Sequence, residues 1–262
     1  METFTLRNYT ISKQYVFDGL PSSKTIINTI NPHSWVTAER DREFRSALLA
    51  SDILLPDGVG IVLTARLLWH ERFQKLAGDD LHKMILSKLN QLHGRCFYLG
   101  ASPRVLDSIR EKLKKEYPHI EVGTYTPPFR SAFSEEENKE MIDAVNAFRP
   151  DVLFVGMTAP KQEKWLHQHK SKIQANVMCA IGGAFDFYAG TIPRAPRWMI
   201  RSGLEWLFRL MREPGRMWKR NFISTPYFIL RMLALKCRSK MKARFIFKSD
   251  PVKENKTKMI IE

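Results

Sequence analysis

Short apolar runs alternate with longer amphipathic stretches through most of this chain. From residue 95 the alternation is regular: apolar runs at 96–99, 120–125, 151–155 and 176–181 read as strands, and 103–117, 134–148 and 161–170 between them carry helical spacing. Upstream, 3–7 and 14–17 are β-like, and 24–31, alternating and rich in Ile and Thr, reads as a strand that stops at Asn31-Pro32. Residues 35–50 put Val36, Phe44, Ala47 and Leu48 on one helical face. A further strand, 53–55, runs through Pro56-Asp57-Gly58 into a helix over 61–69, and Gly78-Asp79-Asp80 opens another to about residue 92. Strands alternating with helices predict an α/β fold: a Rossmann-like, doubly wound, mainly parallel sheet.

Open sheets of this kind bind ligands at the carboxyl ends of their strands, so residues at strand tips are the first candidates for chemistry. Asp57 follows the 53–55 strand directly. It is either a helix cap or a reactive carboxylate, and Gly58 and Gly60 beside it let backbone approach a substrate closely. Gly100 and Gly156 end two further strands, with Ser102-Pro103 and Pro160-Lys161-Gln162-Glu163 opening the helices that follow. Free backbone N–H groups there suit a phosphate or a ribose, although capping accounts for them equally well. The dinucleotide fingerprint of three spaced glycines is absent, which disfavours a dehydrogenase. Asp79-Asp80 suggests a divalent ion only weakly, since adjacent acids opening a helix usually cap it. His167 and His169 diverge on a helix and form no joint site.

Composition sharpens the picture at one end. The 262 residues are 44% hydrophobic, enough for one core, and three distant cysteines lack metal spacing and fit a reducing compartment. No signal-like segment opens the chain, and no stretch reaches the length of a membrane span. The net charge of +15 is concentrated: residues 194–248 hold fifteen bases and two acids, whereas 1–193 hold 24 bases and 22 acids. Such a cationic end calls for an anionic partner, whether lipid head groups, a diphosphate or nucleic acid. Within it, Trp198, Met199, Leu204, Trp206, Leu207, Leu210 and Met211 form an apolar face ended by Pro214-Gly215. A last helix over 227–244 mixes Phe228, Leu230, Met232 and Leu233 with Lys236, Arg238, Lys240, Lys242 and Arg244, a pattern suited to the interface of an anionic leaflet.

Thr29-Ile30-Asn31-Pro32, Leu55-Pro56-Asp57-Gly58-Val59-Gly60, Ala159-Pro160-Lys161-Gln162-Glu163-Lys164-Trp165, Gly182-Gly183-Ala184-Phe185-Asp186-Phe187-Tyr188-Ala189-Gly190, Arg194-Ala195-Pro196 and Gly203-Leu204-Glu205-Trp206-Leu207-Phe208-Arg209-Leu210 occur in that order. Together they resemble the WecG/TagA/CpsF glycosyltransferases, family 26, over roughly residues 24–222. The resemblance implies an inverting transfer of an N-acetylmannosamine-type sugar from a UDP donor to polyprenyl-diphosphate-linked N-acetylglucosamine, without a metal or other cofactor, in the making of cell-envelope polymers. It implies Asp57 as general base, Thr29, Asn31 and Gln162 as pocket residues, and a basic C-terminal appendage that touches the membrane and brings arginines to the donor diphosphate. Lys75 stands where the family usually has Arg, and the segment before Thr29 is shorter than the family norm.

The expectations are then specific. Asp57 is the catalytic base; Thr29, Asn31, Gln162, Gly100, Gly156 and Lys75 bind substrate; Arg194, Arg209, Arg216 and Lys219 bind diphosphate, since without a metal cations must hold the leaving group. Asp186 is expected to be structural, bonded to backbone or to Arg194. Residues 1–190 form the core, 191–248 a membrane-associating appendage and 249–262 a disordered tail. The protein is expected to be cytoplasmic, peripherally bound to the inner face of the plasma membrane, with a homo-oligomer left open. The rival reading is a Rossmann-like nucleotide-binding module whose basic tail grips nucleic acid.

Overall fold

The computed structural model describes residues 2–248; the expected disordered tail lies outside them. A hairpin of β1 (Thr3–Leu6) and β2 (Tyr9–Ser12) opens the chain. The second β-like run of the sequence, 14–17, is not a strand; the chain turns earlier, at Arg7 and Asn8, and Arg7 takes a left-handed conformation (φ 58°). Then follow β3 (Thr25–Ile30), α1 (Pro32–Arg40), α2 (Arg42–Leu49), β4 (Ile53–Pro56), α3 (Val59–Trp69), α4 (Gly78–Leu92), β5 (Arg95–Gly100), α5 (Pro103–Glu116), β6 (Glu121–Tyr125), α6 (Glu135–Phe148), β7 (Val152–Gly156), α7 (Lys161–His169) and β8 (Val177–Ala180). The single helix expected over 35–50 is two. Asp41 ends the first and caps the second, its carboxylate accepting from Phe44 N at 3.0 Å.

Six strands form one parallel sheet in the order β4-β3-β8-β7-β5-β6. Its central strands are buried on both faces, which is why they read as unbroken apolar runs. One face packs on α4, α5 and α8 through residues such as Leu86, Ile109 and Phe185, and the other on α6 and α7 through Val145 and Leu166. From β5 the chain crosses through α5 to β6 on one side, and from β7 through α7 to β8 on the other. The crevice of this sheet therefore opens between the tips of β5 and β7, where Gly100 and Gly156 are register partners.

After β8 come α8 (Gly182–Ala189), α9 (Arg197–Arg201), α10 (Glu205–Arg212), α11 (Pro214–Trp218), a π-helical turn (Lys219–Ser224) and α12 (Thr225–Lys248). The strand read over 176–181 does stop before Gly182-Gly183, and that pair starts a helix. A β-carbon on Gly182 would lie 2.4 Å from the Met157 carbonyl oxygen, so only glycine lets α8 begin this close to the β7 loop. The apolar face is interrupted at Gly203 (φ 73°); the helix does end before Pro214, which also starts the next one.

The C-terminal helices do not stand off the core. Phe228 and Met232 of α12 are fully buried in one cluster with Ile30, Trp35, Leu54, Ile61 and Ala65, and the Phe228 ring meets Trp35 edge-on at 5.4 Å. The side chains of Lys240, Lys242 and Arg244 lie outside what is described. Truncating a fully buried aromatic costs about 3–5 kcal/mol. Phe228→Ala should therefore lower the melting temperature, read by calorimetry, by far more than Leu230→Ala on the exposed side of the same helix. Equal effects would show that α12 does not share the core.

Candidate active site at the sheet rim

Asp57 stands at the carboxyl end of β4, two residues before α3. Its own N–H is held by the Ile30 carbonyl at 2.9 Å, which fixes its backbone to the neighbouring strand. The carboxylate caps nothing: Gly58 occupies the cap position, at φ 88°, and α3 has no side-chain cap. The capping role open to Asp57 in the sequence is therefore not the one it takes. Its Oδ2 accepts from Asn31 Nδ2 at 3.5 Å, while Asn31 Oδ1 caps α1 by accepting from Ser34 N at 2.9 Å. The cap fixes which end of the Asn31 amide faces Asp57. Thr29 lies two residues back on β3, in register with Leu55 and half-buried. Gly60 serves packing rather than a substrate, since a β-carbon there would meet Pro32 at 2.6 Å.

One strand further along the rim, α8 begins at Gly182-Gly183. The amide of Gln162 bridges to it: Oε1 accepts from Gly182 N at 3.1 Å, and Nε2 donates to Glu163 Oε1 at 2.9 Å. Arg209 of α10 covers the same helix start. Its Nη2 lies 3.4 Å from where a β-carbon of Gly183 would be, its guanidinium stacks on Phe187 at 4.8 Å, and its buried Nε has no hydrogen-bond partner among the described residues. A helix N-terminus and a buried guanidinium with an open donor, side by side, suit an anion.

The π-helical turn supplies a cation that sequence reading missed. Arg220 is turned inward; burial lowers its pKa, the Asp57 carboxylate raises it, and Arg209 and Arg216 lower it further. Lys219, the residue expected to reach the diphosphate, is exposed. The signal was available, because 209, 216 and 220 follow the i, i+7, i+11 spacing of one helical stripe. The turn is pinned by His33 Nδ1, 2.8 Å from Ser224 Oγ, and burial aided by Arg220 lowers the pKa of that imidazole.

The other expected residues fall in different places. Arg194 is occupied: Nη2 donates to Asp80 Oδ1 at 2.8 Å and Nη1 to the buried Asp79. The acid pair considered for a metal is thus an ion-pair partner for the C-terminal segment. Lys75 pairs with Glu205 at the start of α10, and Arg216 with Glu213 at 2.9 Å. Asp186 is structural, but it accepts from Thr191 Oγ1 at 3.1 Å and not from Arg194. The room a side chain would need at Gly156 is filled by the Phe185 ring, and at Gly100 by the Gly156 carbonyl, so both glycines admit the protein's own atoms. Among the described residues, no three His, Cys, Asp or Glu are grouped to hold a metal.

Sheet and site together define an open α/β protein whose carboxyl rim carries a carboxylate that caps no helix and a set of guanidinium groups. Residues 12–242 match the Glycosyl transferase WecG/TagA/CpsF family, and the chain belongs to it. It is 34% identical over 208 residues, 79% of this chain and 78% of the relative, to N-acetylglucosaminyldiphosphoundecaprenol N-acetyl-beta-D-mannosaminyltransferase of Bacillus subtilis (strain 168). A protein of the same name from Staphylococcus aureus (strain MW2) is 26% identical over 222 residues, 84% of each chain. Membership of a glycosyltransferase family disfavours the nucleic-acid-binding module.

Glu163 is the unexpected acid beside this site. It is 4% exposed, its Oε2 has no hydrogen-bond partner among the described residues, and burial raises its pKa from 4.5 to about 7, against the bond from Gln162. An acid whose folded pKa exceeds its unfolded one weakens folding as pH rises between the two values, by at most about 3 kcal/mol here. Glu163→Gln should abolish that dependence: its melting temperature relative to the unaltered chain should climb from pH 4.5 to pH 7 and level off above. A flat difference would contradict a buried, neutral Glu163.

Proposed function

We propose that this protein transfers an N-acetylmannosamine-type sugar, with inversion, from a UDP donor to a polyprenyl-diphosphate-linked N-acetylglucosamine at the membrane surface. The observation that carries the reading is the order of groups along the rim. Asp57 ends β4, Asn31 follows β3, Gly182-Gly183 with Arg209 follow β8, and Gln162 and Gly156 follow β7, beside Gly100 on β5. From β4 to β7 is three strand spacings, roughly 14 Å. That row has room for a sugar, a diphosphate and a nucleoside in line, with the reacting carbon at the carboxylate and the nucleoside in the crevice.

Each group then has a task. Asp57 takes the proton of the attacking acceptor hydroxyl as that oxygen closes on the anomeric carbon opposite the departing UDP. Thr29 and Asn31 bind sugar hydroxyls, and Asn31 also keeps the base aimed. Negative charge grows on the leaving diphosphate, where Arg209, the start of α8 and Arg220 meet it, with Arg216 nearer the surface. Lys75 and Arg194 act at one remove, by holding the helices that carry those arginines. The names borne by the relatives support donor sugar and acceptor, and the cationic C-terminal end supports peripheral attachment to an anionic membrane. No helix among the described residues is long and apolar enough to cross one.

With UDP-N-acetylmannosamine and a short-chain lipid-diphosphate-GlcNAc, product detected by mass spectrometry tests the whole reading. In that assay Asp57→Asn should cut turnover by roughly 10²–10⁴-fold with UDP affinity nearly unchanged; full turnover removes it as base. Arg220→Ala should cost roughly 10²–10³ in kcat, the loss typical of a group that meets transition-state charge, and Lys219→Ala far less. EDTA should leave transfer intact, and strict dependence on added manganese would contradict metal-free departure of UDP.

A further inference from the structure

Helix α3 begins two residues after Asp57 and is apolar almost all round: Val59, Ile61, Val62, Leu63, Ala65, Leu67, Leu68 and Trp69, with one charge, Arg66. A helix of that composition is normally enclosed on every side. Here only one face is. Ile61 and Ala65 pack into the core, while Leu63 and Leu67, one turn apart on the opposite face, are 46% and 72% exposed. Helix α12 lies against α3, with the Lys236 ammonium 5.6 Å from the Trp69 ring, and shows the same division. Phe228 and Met232 face in; Ile229, Leu230 and Leu233 face out, between Arg231 on one side and Lys236 on the other.

We infer that the outward leucines of α3, together with those of α12, form the face on which this protein rests on an anionic bilayer, so that the catalytic core itself touches lipid beside Asp57. This rests on the reading of a lipid-linked acceptor and adds to it the surface by which the enzyme meets that lipid. Charge selects the occupant. Neither α3 nor α12 contains a single Asp or Glu, so every charge these two helices carry is a cation. Lipid head groups complement such a border. A second copy of the same face would set Arg66 and Arg231 against their own kind without a compensating acid. Position agrees as well: the stripe starts at Val59, where the Asp57 turn ends, so an acceptor whose chain stays in the bilayer presents its sugar to the carboxylate without leaving the membrane.

The test uses the full chain and vesicles of phosphatidylglycerol and phosphatidylcholine. Leu63→Gln/Leu67→Gln should partition onto them about tenfold more weakly than the unaltered protein, with melting temperature, UDP affinity and turnover of a water-soluble short-chain acceptor unchanged. Equal partitioning of the two proteins, or no partitioning by either, overturns the inference while leaving the transferase reading intact. Failure of the unaltered protein to turn over any acceptor sinks that reading instead, and partitioning still decides the face. A second probe covers a variant that folds poorly. An environment-sensitive dye on Leu67→Cys, in a chain carrying Cys237→Ser, should shift to the blue with vesicles and become shielded from an aqueous quencher. A blue shift produced by raising protein concentration alone would assign the face to a second copy and overturn the proposal.

Discussion

The edge-on contact of Phe228 with Trp35 is the constraint on which the site depends. Trp35 belongs to α1, whose capping residue Asn31 orients Asp57, and Phe228 follows directly after the turn that carries Arg220. One apolar lock therefore sets the distance between the carboxylate and the cation. Asp57 favours the Arg220 charge, but Arg220 loses hydration on burial, and Arg209 and Arg216 repel it. Burial of large side chains supplies the free energy that holds these charges together without neutralising ligands.

Around that lock, the ion pairs act as fasteners rather than as chemistry. Arg194 with Asp79 and Asp80, and Lys75 with Glu205, both join the segment after residue 190 to the start of α4 and the loop before it. Arg209 and Arg220 form no ion pair among the described residues. That contrast separates paired from unpaired cations more sharply than their positions in the chain do, and it explains why four basic residues that look equivalent in the sequence end in different surroundings.

The parallel sheet was legible because its strands are buried on both faces and its helices on one, so the two periods alternate cleanly from residue 95 onward. Asp57 was legible for a related reason: a strand tip followed at once by a helix places its carboxylate at the rim. What stayed hidden depended on contacts distant in sequence. Nothing in 35–50 says that Asp41 will cap the middle of an apolar face. That a strand stops at Gly182-Gly183 is visible, but that the next helix starts on those glycines depends on the Met157 carbonyl lying against them. Lys219 and Arg220 are adjacent and equally basic, and only a widened helical turn, tied by His33 to Ser224, selects the second. Gly100 and Gly156 stand at the expected crevice, yet their lack of side chains is demanded by neighbouring backbone and a Phe ring.

The pairing of Arg194 with Asp79 reaches beyond local architecture. Asp79 is almost wholly enclosed, and it is paired both by Lys83 on its own helix at 2.9 Å and by Arg194 from the basic C-terminal stretch. A chain shortened to residues 1–190 keeps every described strand and Asp57, but leaves that anion with Lys83 alone at the opening turn of α4 and strips Phe228 from Trp35. Its inactivity would report a damaged rim as much as a lost grip on lipid, so the two halves are better compared by single substitutions than by scissors.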